Sequence, residues 1–162
     1  RNAWKEAVEQ NKDMDVFLKA IHIQSRDNAR TPLQWDASKF AGFSTNKPWI
    51  GVNENYNKIN VELQEDNSDS ILNYYREIIR IRKNNSTLIY GDFLDLEPSN
   101  EKLYIYKRWD QQKTYFIVLN FSNDKVQWGI NNFESMRLVI SNYKKSVYDK
   151  SVDPWEARVY IY

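Results

Sequence analysis

The sequence predicts an α+β chain, helical in its first part and all-β in its last. Three observations carry that expectation. Residues 4–23 lack Gly and Pro and offer Ala7, Phe17, Leu18 and Ile21 to inward faces; residues 68–84 repeat apolar side chains at helical spacing; and after Asn84-Asn85-Ser86 the period falls to two. Between the helical stretches, residues 25–64 mix Asn, Asp, Pro, Gly and isolated aromatics with neither period. A structureless connection of that length in a compact domain tends to be functional.

Residues 4–23 read as two short helices broken near Asn11 to Asp15, with Asp13 or Asp15 capping the second. Ser68 to Asn84 is the clearest helix: Ile71, Tyr74 or Tyr75, Ile78, Ile79 and Arg82 share a face that should be buried. Ser68 with Asp69 marks its start, and Arg80, Arg82 and Lys83 suit the negative end of its dipole. Residues 103–106, 115–121, 136–140 and 157–162 are β-rich, with shorter runs at 91–96 and 126–130. Turn residues at Pro98-Ser99-Asn100, Asp110-Gln111-Gln112, Ser122-Asn123-Asp124 and Asp153-Pro154 separate them, so about six or more antiparallel strands are expected in a small sandwich. The boundary falls near Tyr90-Gly91, giving domains 1–90 and 91–162.

Charge and composition exclude several classes. Across 162 residues, 23 basic and 22 acidic side chains leave a formal net charge of +1, which provides no electrostatic footprint for nucleic acid or an anionic membrane. The absence of Cys removes disulfides, thiolate metal sites and thiol nucleophiles. No apolar run approaches the roughly 20 residues of a membrane span. No cofactor and no metal site is expected, and the cytoplasm is the expected compartment. The chain opens on Arg1-Asn2-Ala3-Trp4, which reads as the interior of a longer protein. His22 is the single histidine, and without a Ser, Cys or second His beside it a packed or hydrogen-bonded role is expected rather than acid-base catalysis.

The chemistry concentrates in Ser25-Arg26-Asp27-Asn28-Ala29-Arg30-Thr31-Pro32-Leu33-Gln34-Trp35-Asp36. Two arginines bracket an Asp and an Asn, and Pro32 stiffens the backbone beyond them, so planar donors and acceptors crowd into one loop. A guanidinium held by a carboxylate can hydrogen-bond vicinal sugar hydroxyls without moving. The same composition also suits a solvated, salt-bridged connection. Phe40, Phe43, Trp49, Ile50 and Tyr56 read as anchors for the loop, although Trp35 and Trp49 could instead stack on a sugar.

That run, continued by Ala41-Gly42-Phe43, Pro48-Trp49-Ile50, Val52-Asn53, Asn55-Tyr56 and Ile59-Asn60-Val61, closely resembles the oligo-1,6-glucosidase and α-glucosidase branch of the α-amylase superfamily, glycoside hydrolase family thirteen. Leu33 stands where that branch usually has Met, and Asn46-Lys47 replaces a turn that more often contains Gly. Asn120-Phe121-Ser122 and Trp155-Glu156-Ala157 also look like the family. The resemblance implies that residues 1–90 are the end of a (β/α)8 barrel, with its long loop and last helix, and that residues 91–162 are the C-terminal β-sandwich. It implies a retaining α-glucosidase that hydrolyses terminal α-1,6- or α-1,4-linked glucose from short oligosaccharides. The Asp nucleophile, the Glu acid/base and a further sugar-holding Asp sit on earlier barrel strands in this family, so no catalytic residue is assigned here. Arg26 would hydrogen-bond the non-reducing-end glucose, with Asp27 and Arg30 supporting the loop. The partners implied are a glucose-containing oligosaccharide and the N-terminal part of the same barrel; the fragment alone is expected to be inactive.

Trehalose-6-phosphate hydrolase, dextran glucosidase and sucrose isomerases share the same run, and a phosphate would call for a basic cluster to which only Lys39 and Lys47 lie near. An alternative from another class is a non-catalytic carbohydrate-binding or structural module, in which Tyr104, Tyr106, Trp109 and Trp128 form a sugar platform. Strand alternation puts Tyr104 and Tyr106 on one face.

Overall fold

A computed structural model describes residues 2–129, 135–144 and 150–162, which group into two compact units, 1–72 and 73–162. The first unit opens with the two expected helices, α1 (Asn2–Glu9) and α2 (Met14–Gln24). Asn11 takes a left-handed backbone at the break. Asp13 then caps α2, accepting from the N–H groups of Asp15 at 3.0 Å and Val16 at 3.2 Å. Ala7 is buried, and the Trp4 ring meets the Phe17 ring edge-on at 6.2 Å. Three single 3₁₀ turns come next, at Arg26–Ala29, Lys39–Gly42 and Glu54–Asn57. The short helix α3 (Val61–Glu65) closes the irregular stretch; its five residues are too few to show a period in the sequence.

Helix α4 (Ile71–Lys83) begins later than the Ser68-Asp69 signal suggests. Asn67 spends its side-chain oxygen on the Asp69 N–H at 2.9 Å, forming a turn there. Gln64 supplies part of the helix start, its side-chain oxygen accepting from the Leu72 N–H at 3.2 Å and its carbonyl from the Ser70 hydroxyl at 2.7 Å. The expected buried stripe is corrected: no residue of α4 is buried, and Ile71 is 82% exposed. Ile81 reaches the core of the second unit, as a half-buried neighbour of Leu88, Tyr115 and Ile117. Arg82, expected as a charge matched to the helix dipole, also donates to the Leu88 carbonyl at 2.6 Å.

The second unit is built on one antiparallel sheet. Its strands are β1 (Asp92–Asp95), β2 (Leu103–Trp109), β3 (Thr114–Asn120), β5 (Arg137–Ser141) and β7 (Ala157–Ile161), in the order β1-β2-β3-β7-β5. A ribbon of β4 (Val126–Gln127) and β6 (Ser151–Val152) forms a separate two-stranded sheet, which the Asn120 side chain of β3 ties in by donating to the Val152 carbonyl at 3.3 Å. Strand β6 is too short to announce itself, and Ile130, the end of one expected run, lies outside the described residues.

Alternation divides the sheet into two apolar faces. Leu103, Ile105, Val118 and Tyr160 cluster on one with Trp128, Met136 and Val152. Tyr115 and Ile117 meet Leu88 on the other, from helix α5 (Ser86–Tyr90). Arg108 of β2 fastens that helix, donating to the carbonyls of Leu88 at 3.0 Å, Ile89 at 3.2 Å and Gly91 at 2.8 Å. These are carbonyls that a helix end leaves without intrahelical partners.

A buried ion pair ends the chain's core. Glu156 and Arg158, each 1% exposed, meet through Nε to Oε1 at 2.7 Å and Nη2 to Oε2 at 2.8 Å. Arg158 also donates to the Tyr160 hydroxyl at 3.3 Å, while Glu156 accepts from the Asp153 N–H at 2.8 Å and the Ser141 hydroxyl at 3.3 Å. Fully hydrogen-bonded charges tolerate burial; a single survivor does not. Arg158→Met is expected to cost about 3–5 kcal/mol in urea unfolding by stranding Glu156, and the double variant Glu156→Gln with Arg158→Met should recover most of that loss.

A second expectation concerns acid. The Thr87 hydroxyl, then the Gln112 and Lys113 N–H groups, hold the Asp110 carboxyl below the ordinary carboxylate range. A depressed folded-state pKa contributes stability that is present above the unfolded carboxylate value, about 3.9, and is lost as pH falls through the folded one. Thr87→Val should therefore be less stable than the parent at neutral pH, with the gap narrowing below about pH 4. A gap constant down to the acid limit in thermal melts would assign the loss to packing instead.

Candidate functional site

The loop from Ser25 to Asn60 lacks a ladder to hold it, so side chains do that work. The Ser25 hydroxyl accepts from the Asp27 N–H at 3.3 Å and the Arg30 N–H returns to the Asp27 carbonyl at 3.0 Å, closing the turn over Arg26–Ala29. Asn28 donates from Nδ2 to the carbonyls of His22 at 2.6 Å and Ile23 at 3.3 Å, tying the turn to the last residues of α2. Of the packed or hydrogen-bonded role expected for His22, the structure shows hydrogen bonding through its main-chain carbonyl, while its ring is exposed rather than packed.

Further along, Pro32 is buried and Gln34 acts as a clasp, donating from Nε2 to the Asn55 side-chain oxygen at 3.1 Å and to the Ile59 carbonyl. The main chain runs alongside: Val61 N–H to Gln34 carbonyl and Glu62 N–H to Trp35 carbonyl, both 2.9 Å. Asn60 is buried; its Nδ2 donates to the Tyr56 carbonyl at 2.8 Å, and its oxygen caps α3 through the Leu63 N–H at 2.9 Å.

Phe40, Ala41 and Gly42 form a left-handed turn, with φ of 57°, 57° and +64°. The Ala41 carbonyl there accepts from the Trp35 N–H at 2.8 Å and the Asp36 N–H at 3.4 Å. A Cβ at Gly42 would overlap the Asp36 carboxylate, so this position needs glycine on both counts. Hydrogen bonds from Ser38, its hydroxyl first and then its N–H at 2.8 Å, keep the Asp36 carboxyl below the ordinary range.

The three residues singled out in the turn differ in how they are engaged. Arg26, Asp27 and Arg30 are all exposed. Asp27 pairs with Arg30 across 3.5 Å, and the Arg30 guanidinium lies 5.8 Å from the Trp49 ring centroid. The Arg26 side chain makes neither hydrogen bond nor ion pair among the described residues. Of the expected anchors, Phe40, Ile50 and Tyr56 are half-buried, whereas Phe43 is exposed and Trp49 is 84% exposed, so neither of those two anchors the loop within this chain. A cleft of about 300 Å³ runs between Arg30, Pro32, Phe43, Pro48 and Trp49.

The second unit carries its own cleft, about 400 Å³, lined by Tyr74, Ile78, Phe93, Tyr104, Tyr106 and Arg108 among others. Tyr104 and Tyr106 share a face as expected, ring centroids 5.1 Å apart. The wider aromatic platform is corrected: Trp128 is 3% exposed in the core, stacked near Tyr160 at 5.6 Å, and Trp109 alternates onto the opposite face, under the Lys107 ammonium at 4.6 Å. Among the described residues no group of three or more His, Cys, Asp or Glu could hold a metal ion, and no helix is long and apolar enough to cross a membrane.

Sequence reasoning missed the clasp at Gln34, Asn55 and Asn60. Asn60 ahead of the Val61–Glu65 turn was a legible N-cap signal; the partners of Gln34 lie more than twenty residues away and leave no local trace.

Comparison with known proteins adds an independent line. Residues 1–91 match the family described as alpha amylase, catalytic domain. The glucan 1,6-alpha-glucosidase of Streptococcus pneumoniae is 39% identical over 157 residues, covering 96% of this chain and 29% of that protein. The oligo-1,6-glucosidase of Bacillus cereus is 35% identical over 166 residues, covering 98% and 30%. The crystal structure of trehalose-6-phosphate hydrolase from Bacillus licheniformis superposes with a TM-score of 0.89 at 28% identity, covering 99% of this chain and 30% of that one. An isomaltulose synthase mutant from Erwinia rhapontici, in complex with its natural substrate sucrose, superposes at 0.82 with 35% identity, covering 98% and 30%. The chain therefore spans less than a third of the length of these relatives.

The clasp makes a stability prediction. Asn60→Ala removes both the α3 cap to the Leu63 N–H and the bond to the Tyr56 carbonyl that this buried side chain makes, and is expected to cost about 2 kcal/mol in chemical denaturation.

Proposed function

This chain belongs to the alpha-amylase catalytic-domain family, and from that we propose that it is part of a retaining α-glucosidase that removes terminal α-linked glucose from short oligosaccharides. The observation that carries the reading is Arg26. Every other polar side chain of the Arg26–Ala29 turn is engaged in holding the turn, and this guanidinium is left exposed at its start. Its five donors suit vicinal hydroxyls of a non-reducing-end glucose. A contact of that kind to the non-reducing-end ring would make the action exo. Asp27 and Arg30 act one step back, keeping the turn in shape.

Retaining hydrolysis needs two carboxyl groups about 5 to 5.5 Å apart, one attacking the anomeric carbon and one protonating the leaving oxygen. We assign neither to these residues; both belong to barrel strands beyond the span of relatives that this chain covers. Residues 1–90 are then the end of a (β/α)8 barrel and residues 91–162 its C-terminal β-sandwich, a division supported by the family match ending at residue 91. The exposed apolar side chains Ile71, Tyr75 and Ile79 of α4 fit a helix whose partner is the remainder of the barrel.

Trehalose-6-phosphate hydrolysis is a second reading, favoured by the 0.89 TM-score and by the exposed Lys39 and Lys47 on the same loop. The test is kinetic and uses the full-length enzyme. Arg26→Ala should lower kcat/KM for isomaltose by about 3 kcal/mol in transition-state terms, more than a hundredfold, because a polar contact to the reacting sugar is lost. Unchanged kinetics would remove Arg26 from the site. A parent enzyme active on trehalose 6-phosphate and inert on isomaltose would select the second reading.

A further inference from the structure

The geometry points to Trp49 as a stacking platform for the leaving-group sugar of the substrate, an inference that rests on the α-glucosidase reading of Arg26. An indole is expensive to leave in water, and within this unit Trp49 remains 84% exposed. It is nevertheless held. The Arg30 guanidinium lies over its ring at 5.8 Å, Pro48 precedes it with a fixed φ, and both line the cleft with Pro32 and Phe43. A flat, positioned aromatic beside a cleft of about 300 Å³ has the size and chemistry to take the apolar C–H face of one hexose.

The same segment links this platform to Arg26. Arg30 closes the 3₁₀ turn that Arg26 begins, through its N–H to the Asp27 carbonyl at 3.0 Å, and its side chain reaches Trp49. In an exo-acting enzyme only one ring lies on the non-reducing side of the scissile bond. Any further ring contact in the same loop therefore falls on the leaving-group side, and Trp49 should govern how well a substrate's second sugar is held rather than how fast the bond breaks.

Two substrates separate the roles: isomaltose, with a second hexose, and α-D-glucopyranosyl fluoride, with no second ring. In the full-length enzyme Trp49→Ala should raise KM for isomaltose about tenfold with kcat little changed, and leave hydrolysis of the fluoride at the parent rate; Trp49→Phe should restore most of the isomaltose KM. Equal losses on both substrates, or a lowered melting temperature with Trp49→Phe no better than Trp49→Ala, would make Trp49 merely structural and overturn the inference. No change on either substrate would overturn it as well. A parent enzyme inactive on both would instead sink the α-glucosidase reading, and this inference with it.

Discussion

The first unit depends on one constraint: a stretch of more than thirty residues, from Ser25 to Asn60, has to keep a fixed shape without a strand or long helix of its own. Gln34 solves most of it. Its side chain ties to Asn55 and Ile59, its carbonyl to Val61, and its neighbour Trp35 to Glu62 and Ala41. Each bond is worth only about 1 kcal/mol net, yet a buried polar group left without its partner costs more than the bond contributes. The clasp therefore acts as a set, and the left-handed turn at Phe40-Ala41-Gly42 survives only because its surroundings determine it.

The clasp leads to selective engagement. Asn28, Asp27 and Arg30 are spent on the loop itself, the first on α2 and the other two on each other. The one cation of the turn left over is Arg26 among the described residues, and a binding group is most effective when its supports are fixed before the ligand arrives. The second unit does comparable work with different means: a sheet apolar on both faces, one helix end sealed by Arg108, and the Glu156–Arg158 pair buried at the last strand.

Much of this was legible in the sequence. The helix break at Asn11–Asp15 and the principal strands appear close to where hydrophobic spacing puts them, although β2 runs three residues further, to Trp109, and the switch to period 2 expected after Asn85 is delayed by helix α5 until β1 begins at Asp92. The start of α4 moved to Ile71 because Asn67 captured the Asp69 N–H in a turn. The buried face expected of α4 is exposed because periodicity reports a need for a partner without supplying one. Trp128 and Trp109 fall away from the alternative sugar platform for a similar reason: composition counts aromatics, and only the pleat says which face each one takes. In the site, the Arg-rich turn was visible as a motif, whereas its supports at Gln34, Asn55 and Asn60 act across long sequence separations.

The central claim is that Arg26 meets the terminal sugar directly. A crystal structure of the full-length enzyme with glucose or a non-hydrolysable isomaltose analogue bound tests it most directly. The account predicts Arg26 guanidinium nitrogens about 3 Å from hydroxyls of the non-reducing-end ring. A bound sugar in the barrel with Arg26 still turned to solvent, or paired only to protein, would contradict it.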